Sequence, residues 1–143
     1  MRTAMNADVP AIRTVVGAAF APLVARTGIR PAPPATDWET VISAMGASVA
    51  TVDDHVVGVL VAWPHPDHVQ VDLLAVVPEA QRCGVGTALL DRAELLAIEI
   101  GVNAVLLQTS AEMTEALAYS RRRGFVGGVE DGSDRVRLQK RLL

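Results

Sequence analysis

Two stretches of the chain carry residues whose types and spacing could do chemistry. The first is Gln81-Arg-Cys-Gly84-Val-Gly86-Thr87, between an apolar run that ends at Val77 and a helical pattern that starts after Gly86. Gly84 and Gly86 allow a backbone with positive φ to come close to a ligand, because no Cβ stands in the way. A strand feeding such a loop at a helix N-terminus gathers unpaired N–H groups at the positive end of the dipole. That is an anion site, and phosphate is its usual guest. The common nucleotide signatures do not fit. No Lys-Ser or Lys-Thr follows the glycines as in a P-loop, and the third glycine of a GxGxxG fingerprint would be Leu89. A nucleotide-binding domain of another kind is undercut accordingly.

The second stretch is Val71 to Val77, where Asp72 stands alone among Val71, Leu73 and Leu74. Desolvation would raise its pKa toward working pH, which is what a general base needs. If the carboxylate instead faces solvent or pairs with an arginine, it has no such role. His55, His65 and His68 are not arranged as metal ligands, so no metal is expected. One cysteine, Cys83, excludes an internal disulfide and a cysteine-based metal cluster.

The positioning elements follow from pattern. Met1 to Ala4 reads as a short edge strand. Asn6 or Asp8 can cap a first helix that has Pro10 in its opening turn and an apolar stripe of Ile12, Val15, Val16, Ala19, Phe20 and Leu23. Pro22 should kink or end it. Arg30-Pro-Ala-Pro-Pro-Ala35 is an extended connector, and Thr36 to Glu39 has capping-box spacing for a second helix carrying Trp38, Val41, Ile42 and Met45. Ser48–Val52 and Val56–Trp63 form a hairpin that turns at Asp53-Asp54. Pro64 to Asp67 leads to the Val71–Val77 strand, which Pro78 closes. Leu89, Leu90, Ala93, Leu96, Ala97 and Ile100 recur at helical spacing up to Gly101. Then come a strand at Ala104–Gln108, a helix through Ala116, Leu117 and Tyr119 ending at Gly124, and strands Phe125–Val129 and Arg135–Gln139 joined at Asp131-Gly132.

Composition bounds the rest. The chain has 143 residues, 50% of them hydrophobic and 3% aromatic, so one domain (1–143) with a Val, Leu and Ala core is expected. No apolar run reaches the roughly eighteen residues of a membrane span, and the first residues lack the apolar stretch of a signal peptide. A soluble, cytoplasmic protein is expected. The net charge of −3 argues against nonspecific binding to nucleic acid or anionic membranes and is compatible with a cationic acceptor.

Gln81-Arg-Cys-Gly84-Val-Gly86-Thr resembles the Q/R-x-x-G-x-G/A motif of the GNAT superfamily of acyl-CoA-dependent N-acetyltransferases. The preceding Leu74-Ala-Val-x-Pro78-Glu79 strengthens the likeness, and the flanking elements fall in the family's order over nearly the whole chain. The resemblance implies an α/β (α+β) fold, a mixed central sheet flanked by helices in the order β-α-α-β-β-β-α-β-α-β-β. The strands ending at Val77 and spanning Ala104–Gln108 would splay apart to admit the pantetheine arm. It implies acetyl transfer from acetyl-CoA to a small-molecule or peptide amine by direct attack in a ternary complex, and a possible homodimer.

By the same resemblance the loop Gln81, Arg82, Cys83, Gly84, Val85, Gly86 and Thr87 would hold the pyrophosphate. Backbone groups of Leu74, Ala75 and Val76 would pair with the pantetheine and polarise the thioester. Asp72 matches a position often acidic in relatives and would be the base; the next strand offers only Gln108, which takes no proton. Cys83 has no role in this chemistry. The tyrosine that protonates the departing sulfur in many relatives falls at Ser120, with Tyr119 beside it, and an asparagine contacting the cofactor is Ala116 here. One residue along a helix is a rotation of about 100°, so the plain reading packs Tyr119 in the core, and the acid is Tyr119, Ser120, a water, or absent. Arg121-Arg-Arg123 would reach the 3′-phosphate or simply complement the helix C-terminus. These departures keep open the alternative of a catalytically silent acyl-CoA-binding module.

Overall fold

The computed structural model describes residues 1–27, 37–44, 46–81, 83–110, 114–129 and 135–142. Its elements are β1 (Arg2–Thr3), α1 (Val9–Thr27), α2 (Trp38–Ser43), β2 (Ala47–Val52), β3 (His55–Pro64), β4 (Val69–Val76), α3 (Val85–Ile100), β5 (Ala104–Ser110), α4 (Thr114–Arg122), β6 (Val126–Val129) and β7 (Arg135–Arg141). Short 3-10 turns stand at Asn6–Asp8 and Pro78–Ala80. This is the element order expected from the sequence. The strands form one seven-stranded sheet, β1-β2-β3-β4-β5-β7-β6, antiparallel except between β4 and β5.

Local chemistry explains the boundaries. Asp53 and Asp54 have φ of 50° and 65°, as both central residues of a type I′ turn require, and Val52 opposes His55 to close the hairpin. Before α1, the buried Asp8 carboxylate accepts the Met5 N–H at 2.7 Å and two guanidinium N–H groups of Arg2 at 2.7 and 2.8 Å. It thus ties β1 to the helix instead of capping the helix itself. The Arg2 hydrogen bonds hold its pKa below the usual carboxylate range. α1 does not end at Pro22 but runs on to Thr27; a proline deletes one hydrogen bond of the ladder, and the helix continues beyond that loss. α2 is capped by Asp37 rather than Thr36: the Asp37 carboxylate accepts the Thr40 N–H at 3.1 Å and the Thr40 hydroxyl at 2.6 Å. Thr36 and Met45, the 30–35 connector and the 131–132 turn lie outside the described residues.

Apolar clusters cover both faces of the sheet. α3 and α4 bring Leu89, Leu90, Ala93 and Leu117 against Val105, Val136 and Leu138. α1 and α2 bring Ile12, Val15, Phe20, Trp38 and Ile42 against Val49, Val59 and Val61 on the other face. β4 feeds both clusters: Val69 and Val71 belong to the first, Leu73 and Ala75 to the second. In a regular strand these four alternate residues would share a face. A β-bulge makes the switch. Ala62 opposes Val71 while Val61 opposes Leu73, which leaves Asp72 as the extra residue.

Past the bulge β4 also parts from its parallel neighbour. β4 and β5 pair only as Val69↔Val105, Gln70↔Leu106 and Val71↔Leu107. Beyond that point β4 follows β3 as far as Val76, and β5 follows β7 as far as Ser110. The sheet therefore opens in a wedge at its centre. Gly58 seats α3 beside the wedge, since a Cβ there would lie 2.8 Å from Val85 Cγ1 and 3.0 Å from Leu89 Cδ1.

Candidate active site

The upper lip of the wedge is the second half of β4. Val77 N–H donates to Val57 O at 3.0 Å, so by antiparallel alternation the backbone groups of Leu73, Ala75 and Val77 face β3. Those of Leu74 and Val76 then face the wedge, and the Gln81 side-chain amide donates to Val76 O from that side at 3.2 Å. A ligand lying in the wedge meets Leu74 and Val76 as an extra strand would, while Ala75 turns its polar groups away. The Gln81 contact also fastens the glycine loop to the strand that precedes it.

At the loop itself, Gly84 has φ 85° and stands at the N-cap of α3, with neither a side-chain cap nor an acid in the first turn. The first helical bond runs from Ala88 N–H to Gly84 O at 3.0 Å. The N–H groups of Val85, Gly86 and Thr87 therefore precede the ladder and point outward along the dipole axis. An ideal Cβ on Gly86 would meet nothing within 4 Å, so among the described residues nothing fills that space. These amides, open space and positive dipole end suit a pyrophosphate. Cys83 is exposed and its N–H donates to Ala80 O at 3.4 Å. Arg82 lies outside the described residues.

α4 closes the other side of the loop. The Tyr119 hydroxyl lies 2.6 Å from Thr87 Oγ1; its ring is half-buried against the α3/α4 cluster, with the Arg122 guanidinium 5.9 Å from its centroid. The plain core placement of Tyr119 is thus corrected: its ring packs, but its hydroxyl reaches the loop. Ser120, one position on, is the buried member of the pair, 2% exposed. Arg123 holds Asp91 at 2.6 Å and Glu94 at 2.5 Å on α3, and Lys140 also reaches Glu94. That arginine fastens α4 to α3.

Asp72 sits on the bulge, at the mouth of the wedge and on the face opposite α3. Burial among neighbouring side chains pushes its pKa up, while the charge of His65, hydrogen bonds from Gln70 and Trp63, and the charge of Arg135 pull it down and offset the rise only in part. The residue is nonetheless exposed, so the desolvation comes from walls beside the carboxylate and not from a lid over it. A carboxylate that is reachable and raised in pKa fits a proton acceptor. Of its neighbours, His65 was weighed from the sequence as a metal ligand and set aside, and Trp63 and Gln70 were given no role. Trp63 is placed by Gly46, whose Cβ would overlap the indole ring, and His65 stacks on His68 with centroids 4.5 Å apart. His68 in turn contacts Asp67 at 2.6 Å. Two prolines and two histidines in the 64–68 segment were the local signal of this corner. Among the described residues no three His, Cys, Asp or Glu side chains are grouped to hold a metal ion, and no helix is long and apolar enough to cross a membrane.

Comparison with known proteins gives concordant findings. A family model described as acetyltransferase (GNAT) family matches residues 21–125. No curated protein matches the sequence. Among solved structures, the PaiA N-acetyltransferase from Thermoplasma acidophilum, in complex with coenzyme A, is 17% identical with a TM-score of 0.78 over 98% of this chain and 96% of that one. N-acetylglutamate synthase from Neisseria gonorrhoeae, complexed with coenzyme A and N-acetyl-glutamate, is 24% identical with a TM-score of 0.77 over 99% of this chain and 34% of that one.

Proposed function

The chain belongs to the acetyltransferase (GNAT) family, and from that premise we propose that it moves an acetyl group from acetyl-CoA to a primary amine by direct attack in a ternary complex. The observation that carries this reading is the wedge between β4 and β5, which opens toward the uncapped first turn of α3. Coenzyme A in the PaiA structure gives the family premise a ligand of the matching kind.

Acetyl-CoA supplies the reactive thioester. The amides of Val85, Gly86 and Thr87 would hold its pyrophosphate, with Gly84 shaping the turn and Gln81 bracing it. Leu74 and Val76 would align its extended arm, and a β4 N–H aimed at the thioester oxygen is worth on the order of 3 kcal/mol in the transition state. Asp72 would take the proton from the acceptor ammonium, so that a neutral amine faces the carbonyl. The Tyr119 hydroxyl would return a proton to the departing sulfur only after leaving Thr87, because the pyrophosphate and the sulfur stand at opposite ends of the pantetheine arm. Ser120 is too buried for that part unless a water relays the proton. A thiolate near neutral pH leaves tolerably without an acid, since a thiol titrates near ~8.5.

Thermal unfolding with acetyl-CoA, NAD and ATP in parallel, followed by thiol release across an amine panel, tests the proposal. Saturation at a hundred times Kd is expected to add about 2.7 kcal/mol, or several degrees, for acetyl-CoA alone. Equal shifts with all three ligands, or none with acetyl-CoA, would overturn it. The engagement of the Tyr119 hydroxyl by Thr87 favours one second reading, a silent acyl-CoA-binding module, which a shift without turnover on any amine would support.

A further inference from the structure

Strand parity places a line of polar side chains across the sheet beside Asp72. Val136 and Leu138 of β7, like Val105 and Leu107 of β5, point into the α3/α4 cluster, so Arg135, Arg137, Gln139 and Gln108 stand on the opposite face. Gln70 stands there by the same rule, and Asp72 shares that face through its contacts with Gln70 and Trp63. Gln108 opposes Arg137 directly. Asp72 follows Val71, the last residue of β4 paired with β5, which sets it level with Gln108 at the mouth of the wedge. Asp72, Gln108 and Arg137 therefore form a row over three strands, at least ~10 Å from first to last, since two strand spacings are the minimum where β4 and β5 splay.

The two ends of the row differ in sign and both are accessible. Arg137 is exposed and makes no hydrogen bond or ion pair among the described residues. On its far side it opposes Gly128, which offers no side chain to cover the guanidinium and whose own Cβ position is open to 4 Å among the described residues. Arg135, two residues away on β7 and on the same face, adds positive charge that reaches Asp72. An acceptor bound over this face thus meets a carboxylate at one end and a planar bidentate cation at the other.

We propose that the acceptor is an amine that also bears a carboxylate, with its ammonium at Asp72 and its carboxylate on Arg137. This rests on the transferase reading above and narrows its substrate class. A simple polyamine or an aminoglycoside would set a cation against Arg137 and is disfavoured despite the net negative charge of the chain. Arg137 is a specificity residue here, because arginine holds a carboxylate through two parallel hydrogen bonds and discriminates against its neutral amide. The carboxylate could belong to a free amino acid or to an acidic side chain next to a peptide N-terminus.

Matched acceptors decide the matter: glutamate against glutamine, and two short peptides differing only in glutamate or glutamine at the second position, with kcat/KM read from thiol release. The wild type is expected to favour the acidic member of at least one pair about tenfold or more; which pair responds identifies the source of the carboxylate. Arg137→Ala should bring that ratio close to one, Arg137→Lys should keep part of it, and Arg141→Ala, four residues along the same strand, should keep all of it. Unchanged melting temperatures exclude misfolding as the cause. A wild-type ratio of one or below in both pairs, or a ratio that survives Arg137→Ala, overturns the proposal while leaving the transferase reading intact. Failure of every acceptor to elicit thiol release, or no melting shift with acetyl-CoA, sinks both.

Discussion

Replacing Gly86 by alanine separates what the fold needs from what the ligand needs. Gly86 is the second residue of α3 and its Cβ position is empty to 4 Å. A methyl group there meets no atom of the described residues within 4 Å, and alanine is preferred over glycine in a helix by up to about 1 kcal/mol. The free protein should therefore gain stability, with a melting temperature higher by roughly 2–4 °C for a chain of this size. The bound state should respond in the opposite sense, because the same methyl stands where the pyrophosphate approaches the Val85–Thr87 amides. A tenfold loss of affinity removes about 1.4 kcal/mol of the roughly 2.7 kcal/mol that acetyl-CoA contributes at a hundred times the wild-type Kd. The ligand-induced melting shift should fall to about half. Differential scanning calorimetry on both proteins, with and without acetyl-CoA, reads both quantities in one experiment. A destabilised free variant would mean that the glycine serves the fold, and an undiminished ligand shift would mean that the phosphates bind elsewhere.

Other expectations follow from the site. Because burial raises the Asp72 pKa, the carboxylate becomes protonated and loses its capacity as a base at a higher pH than an ordinary aspartate would. Activity should fall on the acid side through that raised value. Asp72→Asn should lower kcat by ~10²-fold or more and erase the acid limb of the pH–rate profile; a parallel profile in the variant would remove Asp72 from the role. Tyr119→Phe deletes the hydroxyl held by Thr87 while keeping the packed ring, so the melting temperature should fall little, and kcat should drop steeply if that hydroxyl protonates the sulfur. An unaltered kcat would leave the thiolate to depart unaided.

How far the sequence foretold this molecule depends on whether the cause was local. The Asp53-Asp54 turn and the Gly101 stop of α3, where φ is 81°, were legible because the residue at the turn is itself the cause. Gly84, with φ 85°, was legible for the same reason, but Gly86 was not: it takes no positive φ and lies inside α3, which starts at Val85 and not after Gly86. The bulge at Asp72 was not: a run of Val, Leu and Ala carries no period that marks an extra residue, and the switch appears only when β3 and both flanking clusters are present. Gly58 gave no sign of its use, since what it avoids is Val85, twenty-seven positions away in sequence and across the sheet. The Thr36–Glu39 spacing pointed to the right helix but the wrong cap, because Asp37 lay within one residue and binds Thr40 through both amide and hydroxyl. The Tyr119 ring packs against the core as read, but helical rotation alone ignores the length of the side chain, which lets the hydroxyl reach Thr87.

The wedge between β4 and β5 also divides the sheet mechanically. Only three residue pairs stitch the β1–β4 half to the β5–β7 half, and both halves are internally antiparallel with longer ladders. The halves are then joined by a short seam and by the α3/α4 cluster that spans it. Such a molecule is stiff within each half and compliant about the line between them. Whatever lies in the wedge and bonds to both lips acts as a splint across that line, so slow amide exchange along Leu74, Val76 and Gln108 becomes a property of the loaded molecule and not of the chain alone.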